Sequence, residues 1–225
     1  MTFHQHPYYP TDLSLPNYQP LVIPFEQILA CFFGGFVLVF GGIWFLTGKY
    51  KYLATTERLL ACWFLCTGVI HLVIEGSVVL NSKFYEDTSG NILNEIWKEY
   101  AKADSRYATR DAFTIQMEAV TAFIEGPACF LIVFAILYRK AFRYVAIMLV
   151  STGQLYGDVL YYATCFHVGV AKHSRPEPMY FWFYYIGVNF IWIVVPSLCI
   201  IYAAKHLNKA VKKAGGTDTK KVKAN

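Results

Sequence analysis

ILACFFGGFVLVFGGIWFL, residues 28–46, runs without a single charge, and a helix of that length crosses the hydrocarbon core of a bilayer, which needs about 20 apolar residues. Four further blocks repeat the pattern, at 59–80, 112–137, 144–166 and 179–204. Composition agrees: of 225 residues, 56% are hydrophobic and only 16% charged, against about 25% charged in an ordinary soluble domain. The sequence therefore predicts an all-α integral membrane protein, one five-transmembrane-helix bundle. The start, MTFHQHPYYP, carries no basic residue ahead of the first block. That block is full-length and followed by another, so it is expected to stay as a span rather than act as a cleaved signal.

Charge sets the expected topology. Lys and Arg are absent before the first block, whereas the first connection has Lys49, Lys51 and Arg58 and the third has Arg139, Lys140 and Arg143. Seven lysines crowd the stretch from Lys205 to Lys223. By the positive-inside rule these belong in the cytosol, and residues 1–24 and the mixed-charge loop 81–111 belong in the lumen. The membrane domain then spans 25–204, with a basic cytosolic tail at 205–225. Because the net charge of +5 is a property of that tail, it points to a membrane surface or an address and not to nucleic acid. Lys221 and Lys223 stand five and three places from the end, like a dilysine retrieval signal of the endoplasmic reticulum; the plain alternative is a solvated tail. All six cysteines (31, 62, 66, 129, 165 and 199) fall in the apolar blocks and are expected to be buried thiols. No GxGxxG, P-loop, GxSxG or HExxH motif and no internal repeat is present.

Polar residues inside the blocks carry the functional reading, since a carboxyl at mid-bilayer costs about 2.5–3.5 kcal/mol on insertion scales. His71 and Glu75 lie four apart, on one helix face. Glu118, Thr121 and Glu125 form a second stripe, Gln154 and Asp158 a third, Asn189 and Trp192 a fourth. Each has a plainer role open to it: an interhelical clasp for His71 and Glu75, a backbone bond for Thr121, a helix-to-helix hydrogen bond for Asp158, a lipid-facing belt for most aromatics of MYFWFYYIGVNFIW (179–192). One histidine well inside a span is too few for the iron sites of membrane hydroxylases. A metal held by His71, Glu75, Glu118 and Asp158 lacks any motif fixing its geometry, so no metal and no cofactor is expected. Acid–base work on an apolar substrate remains: a protonated carboxyl as acid, a carboxylate beside His71 as base, and an indole face to stabilise a cation.

IHLVIEG (70–76), WKEYAKADSRY (97–107), MEAVT (117–121), GQLYGDVLYY (153–162), YFWFYY (180–185) and NFIW (189–192) resemble the emopamil-binding, or EXPERA, family. The resemblance runs from the first helix to the last, with an EXPERA-like region at about 56–200. It implies a five-helix protein of the endoplasmic reticulum and nuclear envelope, with an intramembrane cavity for sterols and cationic amphiphilic amine drugs. It implies the Δ8 to Δ7 isomerisation of zymosterol-like sterols in cholesterol biosynthesis, without cofactor, and a homodimer. His71, Glu75, Glu118 and Trp192 are the implied catalytic residues. Thr121, Asn189 and Tyr107, the last near the pocket mouth, are implied to contact substrate, and Asp158 is grouped with them as a further candidate. Which side donates the proton is open. Glu125 departs from the family, standing where a bulky aromatic is expected; it faces either the cavity or the headgroups. Two other classes compete: a non-catalytic sterol- or amine-binding relative, such as the emopamil-binding-like protein and the sigma-2 receptor, and a metal-dependent membrane hydrolase. GQLYGDVLYY and NFIW look more like the isomerase branch. A short amphipathic helix at about 92–103 is expected to cover the pocket.

Overall fold

A computed structural model describes residues 6–215, so the expected retrieval signal at Lys221 and Lys223 lies outside the described residues. Six helices organise the chain: α1 (Phe25–Thr47), α2 (Thr55–Leu80), α3 (Ile92–Tyr100), α4 (Ala112–Leu137), α5 (Arg143–Val168) and α6 (Met179–Ala214). Helices α1, α2, α4 and α6 are long and apolar enough to cross a membrane. Helix α5 has 26 residues, yet Ser151, Thr152, Gln154, Asp158 and Thr164 dilute its apolarity, and the count of five spans rests on it. It packs along α6 over most of its length and also meets α4. Ser151, Gln154 and Asp158 are thus buried against protein, while the exposed Thr152 bonds its own helix, Oγ1 donating to Met148 O at 2.8 Å.

Apolar side chains gather in two large clusters and a small one of Ala103, Tyr180 and Tyr184. Phe64, Ile132, Ile136, Ile147 and Ala203 fill one end of the bundle, and Tyr8, Phe84, Trp97, Tyr107, Tyr161 and Tyr185 the other. The second end is closed by α3 and the segment before α1. Glu95 Oε2 accepts the backbone N–H groups of Val22 (2.7 Å) and Ile23 (3.0 Å), and its Oε1 takes the buried Lys98 ammonium at 2.8 Å. Lys98 also donates to the carbonyl of Asp87 at 2.6 Å. A buried pair is tolerable when its remaining donors are satisfied in this way. The charged loop 81–111 is therefore a folded cap, and α3 ends at Tyr100, three residues short of the expected Ala103, where Ala101 begins a turn.

Three stretches are wound as π-helix: Ile70–Glu75 in α2, Thr121–Glu125 in α4 and Met179–Val188 in α6. A π turn shifts the backbone hydrogen-bond register and frees carbonyls, a device that concentrates at functional sites. Here side chains take those carbonyls. Trp97 Nε1 donates to Ile74 O at 2.9 Å, Tyr162 Oη to Ile186 O at 3.0 Å and Asn189 Nδ2 to Tyr185 O at 2.9 Å.

Two expectations are corrected. Cys31 is exposed, because α1 buries only Ile28, Ile43 and Thr47, whereas the other five thiols are buried. In the aromatic run, Tyr180, Tyr184 and Tyr185 are buried against the cap and α5, so the run is not a simple belt. The final helix continues beyond the expected span end at 204 into the basic tail, carrying Lys205, Lys209, Lys212 and Lys213 to Ala214, lysine being a good helix former that also suits a C-terminal dipole.

Candidate active site in the membrane domain

A cavity of about 560 Å³ lies between the helices, within the size range of small-molecule sites. Ile28, Phe32, Phe33 and Phe36 of α1 and Val188 and Ile191 of α6 form an apolar wall, and Phe33 and Ile191 are largely exposed on the bundle's outer face. The cap supplies Trp97, Tyr100 and Tyr107. All eight expected site residues, His71, Glu75, Tyr107, Glu118, Thr121, Asp158, Asn189 and Trp192, line it.

The polar groups form a chain across three helices. Tyr107 Oη donates to Glu118 Oε1 at 2.5 Å. Thr121 Oγ1 lies 2.6 Å from Glu75 Oε2, 2.9 Å from Glu118 O and 3.4 Å from Glu118 Oε2; its one hydrogen serves either the backbone carbonyl or the nearer Glu75 oxygen, and in the second case the hydroxyl bridges the two carboxyls. His71 Nδ1 meets Glu75 Oε2 at 2.7 Å, and Gln154 Nε2 stands 3.1 Å from His71 Nε2. With the amide so oriented, Nε2 is the accepting nitrogen and Nδ1–H donates to Glu75. Burial pushes the Tyr107 phenol well above its ordinary value, which keeps it a neutral donor. The Trp192 ring lies 4.9 Å from that of His71 and 5.4 Å from Trp63.

Local sequence explains these positions. The π stretches of α2 and α4 cross, and Gly126 permits it: a Cβ there would lie 3.2 Å from Leu72 N and 3.3 Å from His71 Cβ. That close approach places Thr121 against Glu75. Tyr107 lines the cavity and is 3% exposed; three residues before it, Asp104 is fixed by Arg106 at 2.7 Å and by Tyr161 Oη at 2.7 Å. Asn189 lines the cavity with its amide already engaged, Oδ1 accepting from Tyr100 Oη at 3.0 Å. Gln154 was visible in the sequence only as one more polar residue; its contact with His71 spans 83 positions. Among the described residues, no group of three or more His, Cys, Asp or Glu side chains is arranged to hold a metal.

Glu125 takes neither expected place. It is buried and not among the cavity-lining residues, with Oε2 lacking a partner among the described residues, and its carboxyl fills the space above Gly153, where a Cβ would clash with Oε1. Gly153→Ala is expected to cost no more than about 1 kcal/mol, because the carboxyl in its way ends a flexible side chain and alanine is the better helix former, and adding Glu125→Ala should remove that cost. Thermal unfolding in detergent gives the cycle; purely additive losses would contradict the contact.

Fold and cavity together define an all-helical membrane protein that presents an acid–base chain to an apolar cavity between its helices. The chain belongs to the EBP family, EXPERA (EXPanded EBP superfamily), whose pattern matches residues 92–203. It is 41% identical to a mouse 3-beta-hydroxysteroid-Delta(8),Delta(7)-isomerase over 211 residues, 91% of this chain and 90% of that one. It is 37% identical to a probable 3-beta-hydroxysteroid-Delta(8),Delta(7)-isomerase of Arabidopsis thaliana, covering 96% of each. An isomeliandiol synthase of Ailanthus altissima is 39% identical over 76% of this chain and 80% of that one.

Proposed function

We propose that this protein is a cofactor-independent sterol Δ8,Δ7-isomerase. The observation that carries the reading is the unbroken run Tyr107, Glu118, Thr121, Glu75, His71 and Gln154 facing one apolar cavity, in a chain so similar to curated isomerases. Two carboxyls bridged by one hydroxyl in a low-dielectric site resist carrying two charges. Glu75 has the imidazole and Thr121 as partners and is the carboxylate; Glu118, bonded to a neutral phenol, holds the proton.

The acid Glu118 gives its proton to C9 of the Δ8 alkene, and the electron pair of the double bond forms the new C–H bond. A tertiary cation is left at C8. Its neighbour C7 loses a proton to His71 Nε2, and the released pair becomes the C7–C8 double bond. One proton enters and one leaves, with no change of oxidation state. For the transfer to His71, Gln154 first swings its amide N–H away, freeing the Nε2 lone pair, and its Oε1, unpartnered among the described residues, then accepts the new Nε2–H. The Trp192 face beside His71 stabilises the cation, by about 2 kcal/mol or more in a desolvated pocket. An amphiphilic amine fits the same place, its ammonium imitating the cation while its apolar body fills the cavity.

The finer setting follows the same reading: an endoplasmic-reticulum and nuclear-envelope protein of five spans, N-terminus lumenal, basic C-terminus cytosolic, addressed by Lys221 and Lys223, associating as a homodimer. The asymmetry of Lys and Arg between the connections supports that topology, and family resemblance alone supports the dimer.

The test is turnover of a Δ8 sterol by the purified protein in lipid and deuterated water, followed by mass spectrometry. A Δ7 product carrying solvent deuterium is expected. Tight sterol binding without conversion would instead place the protein with non-catalytic binders.

A further inference from the structure

We infer that Asp158 is the receptor for the sterol's own hydroxyl, an assignment that rests on the sterol reading of the same cavity. Asp158 lines the cavity and is 8% exposed. Neither carboxyl oxygen makes a hydrogen bond to any described residue, and Oδ2 is wholly buried. An unpaired carboxyl in an apolar interior is costly; Glu125 is another, but it does not line the cavity, whereas Asp158 faces it, where a group that arrives with the ligand can pair it. Three other lining residues have an orphaned polar atom: Trp63 Nε1, Gln154 Oε1 and Tyr184 Oη. Gln154 serves His71, Trp63 is only a donor, and Tyr184 is a phenol, far cheaper to leave dry.

Position agrees with chemistry. On α5, Gln154 touches the imidazole that works on the ring alkene, and Asp158 is the next residue on that face, about 6 Å further along the axis. In a Δ8 sterol the hydroxyl lies across the A ring from the B-ring alkene, a comparable span. With the hydroxyl on Asp158 the sterol's alkyl chain points away from the polar groups, to the apolar wall of Phe32, Phe33 and Phe36. The polar head is buried and the tail faces the lipid side. The ligand class that follows is a sterol with a free hydroxyl on its A ring; deoxy and esterified forms are disfavoured, because each leaves the carboxyl unpaired.

Binding, rather than turnover, tests this. The full-length protein in lipid is titrated with a Δ8 hydroxysterol and with its 3-deoxy counterpart. The wild type should prefer the hydroxysterol by about tenfold to a hundredfold, the worth of a hydrogen bond to a charged group. Asp158→Leu should abolish the preference while the deoxy sterol still binds, and Asp158→Asn should keep part of it. Four results would overturn the assignment: no preference in the wild type, a preference that survives Asp158→Leu, equal weakening of both ligands by that substitution, or loss of preference in Tyr184→Phe instead. Turnover measured on the same wild-type samples separates the two readings, since a failed isomerase with an intact hydroxyl preference removes only the catalytic one.

Discussion

Glu118→Gln is expected to slow isomerisation about a thousandfold while leaving Δ8-sterol binding within a few-fold. The amide matches the carboxyl in shape and keeps an oxygen for the Tyr107 hydroxyl, which sits 2.5 Å from Oε1. What it lacks is a transferable proton. Losing a positioned general acid costs about 10²–10⁴-fold, and a thousandfold loss corresponds to about 4 kcal/mol of barrier. Because the sterol is held by an apolar cavity and not by this group, KM should barely move, the signature of an interaction made only in the transition state. Single-turnover assays with presaturated enzyme measure the chemical step directly. A Glu118→Gln enzyme within tenfold of wild type would show that the proton comes from elsewhere, with the imidazolium of His71 the next donor to examine.

Much of this site was legible in the sequence, for an identifiable reason. A carboxyl or imidazole in a membrane block is improbable unless it faces protein or a cavity, so His71, Glu75, Glu118 and Asp158 stood out against Leu, Ile and Phe without any knowledge of packing. Spacing of three and four then put them on common faces. Tyr107 is a different case. A tyrosine in a charged loop carries no such signal, and only the family resemblance singled it out; its burial depends on the Asp104, Arg106 and Tyr161 cluster, which no local pattern announces. Beyond the short helix expected at about 92–103, the cap reads in sequence as a mixed-charge loop, because ion pairing between Glu95 and Lys98 looks like any solvated i,i+3 pair.

The helical spans were legible from apolar length, and the α4 block 112–137 coincides with the observed helix. The π windings were not, since they answer to the crossing of α2 with α4 at Gly126 and to the donors Trp97, Tyr162 and Asn189, all tertiary partners. Glu125 illustrates the remaining gap. A stripe at 118, 121 and 125 assumes an α-helical face, whereas the π turn through Thr121–Glu125 rotates the last member out of the cavity and onto Gly153.

Glu75→Gln and His71→Gln should each lower turnover about a thousandfold, and the double substitution should cost no more than the worse single. His71 accepts the C7 proton only if the imidazolium so formed has a countercharge in a region where water does not screen it. Glu75, 2.7 Å from Nδ1, is that charge. Its amide replacement can still hydrogen-bond the ring and Thr121, so structure and binding should persist while the cation loses its stabilisation. Residues that act as one unit are strongly non-additive: once the imidazole is gone, the carboxylate has nothing to orient or neutralise, and its removal adds little. The double-mutant cycle on turnover, with sterol binding measured alongside as a check on folding, reads this directly. Losses that multiply would mean that Glu75 and His71 serve different steps, with Glu75 acting on Glu118 through the Thr121 bridge and not on the base.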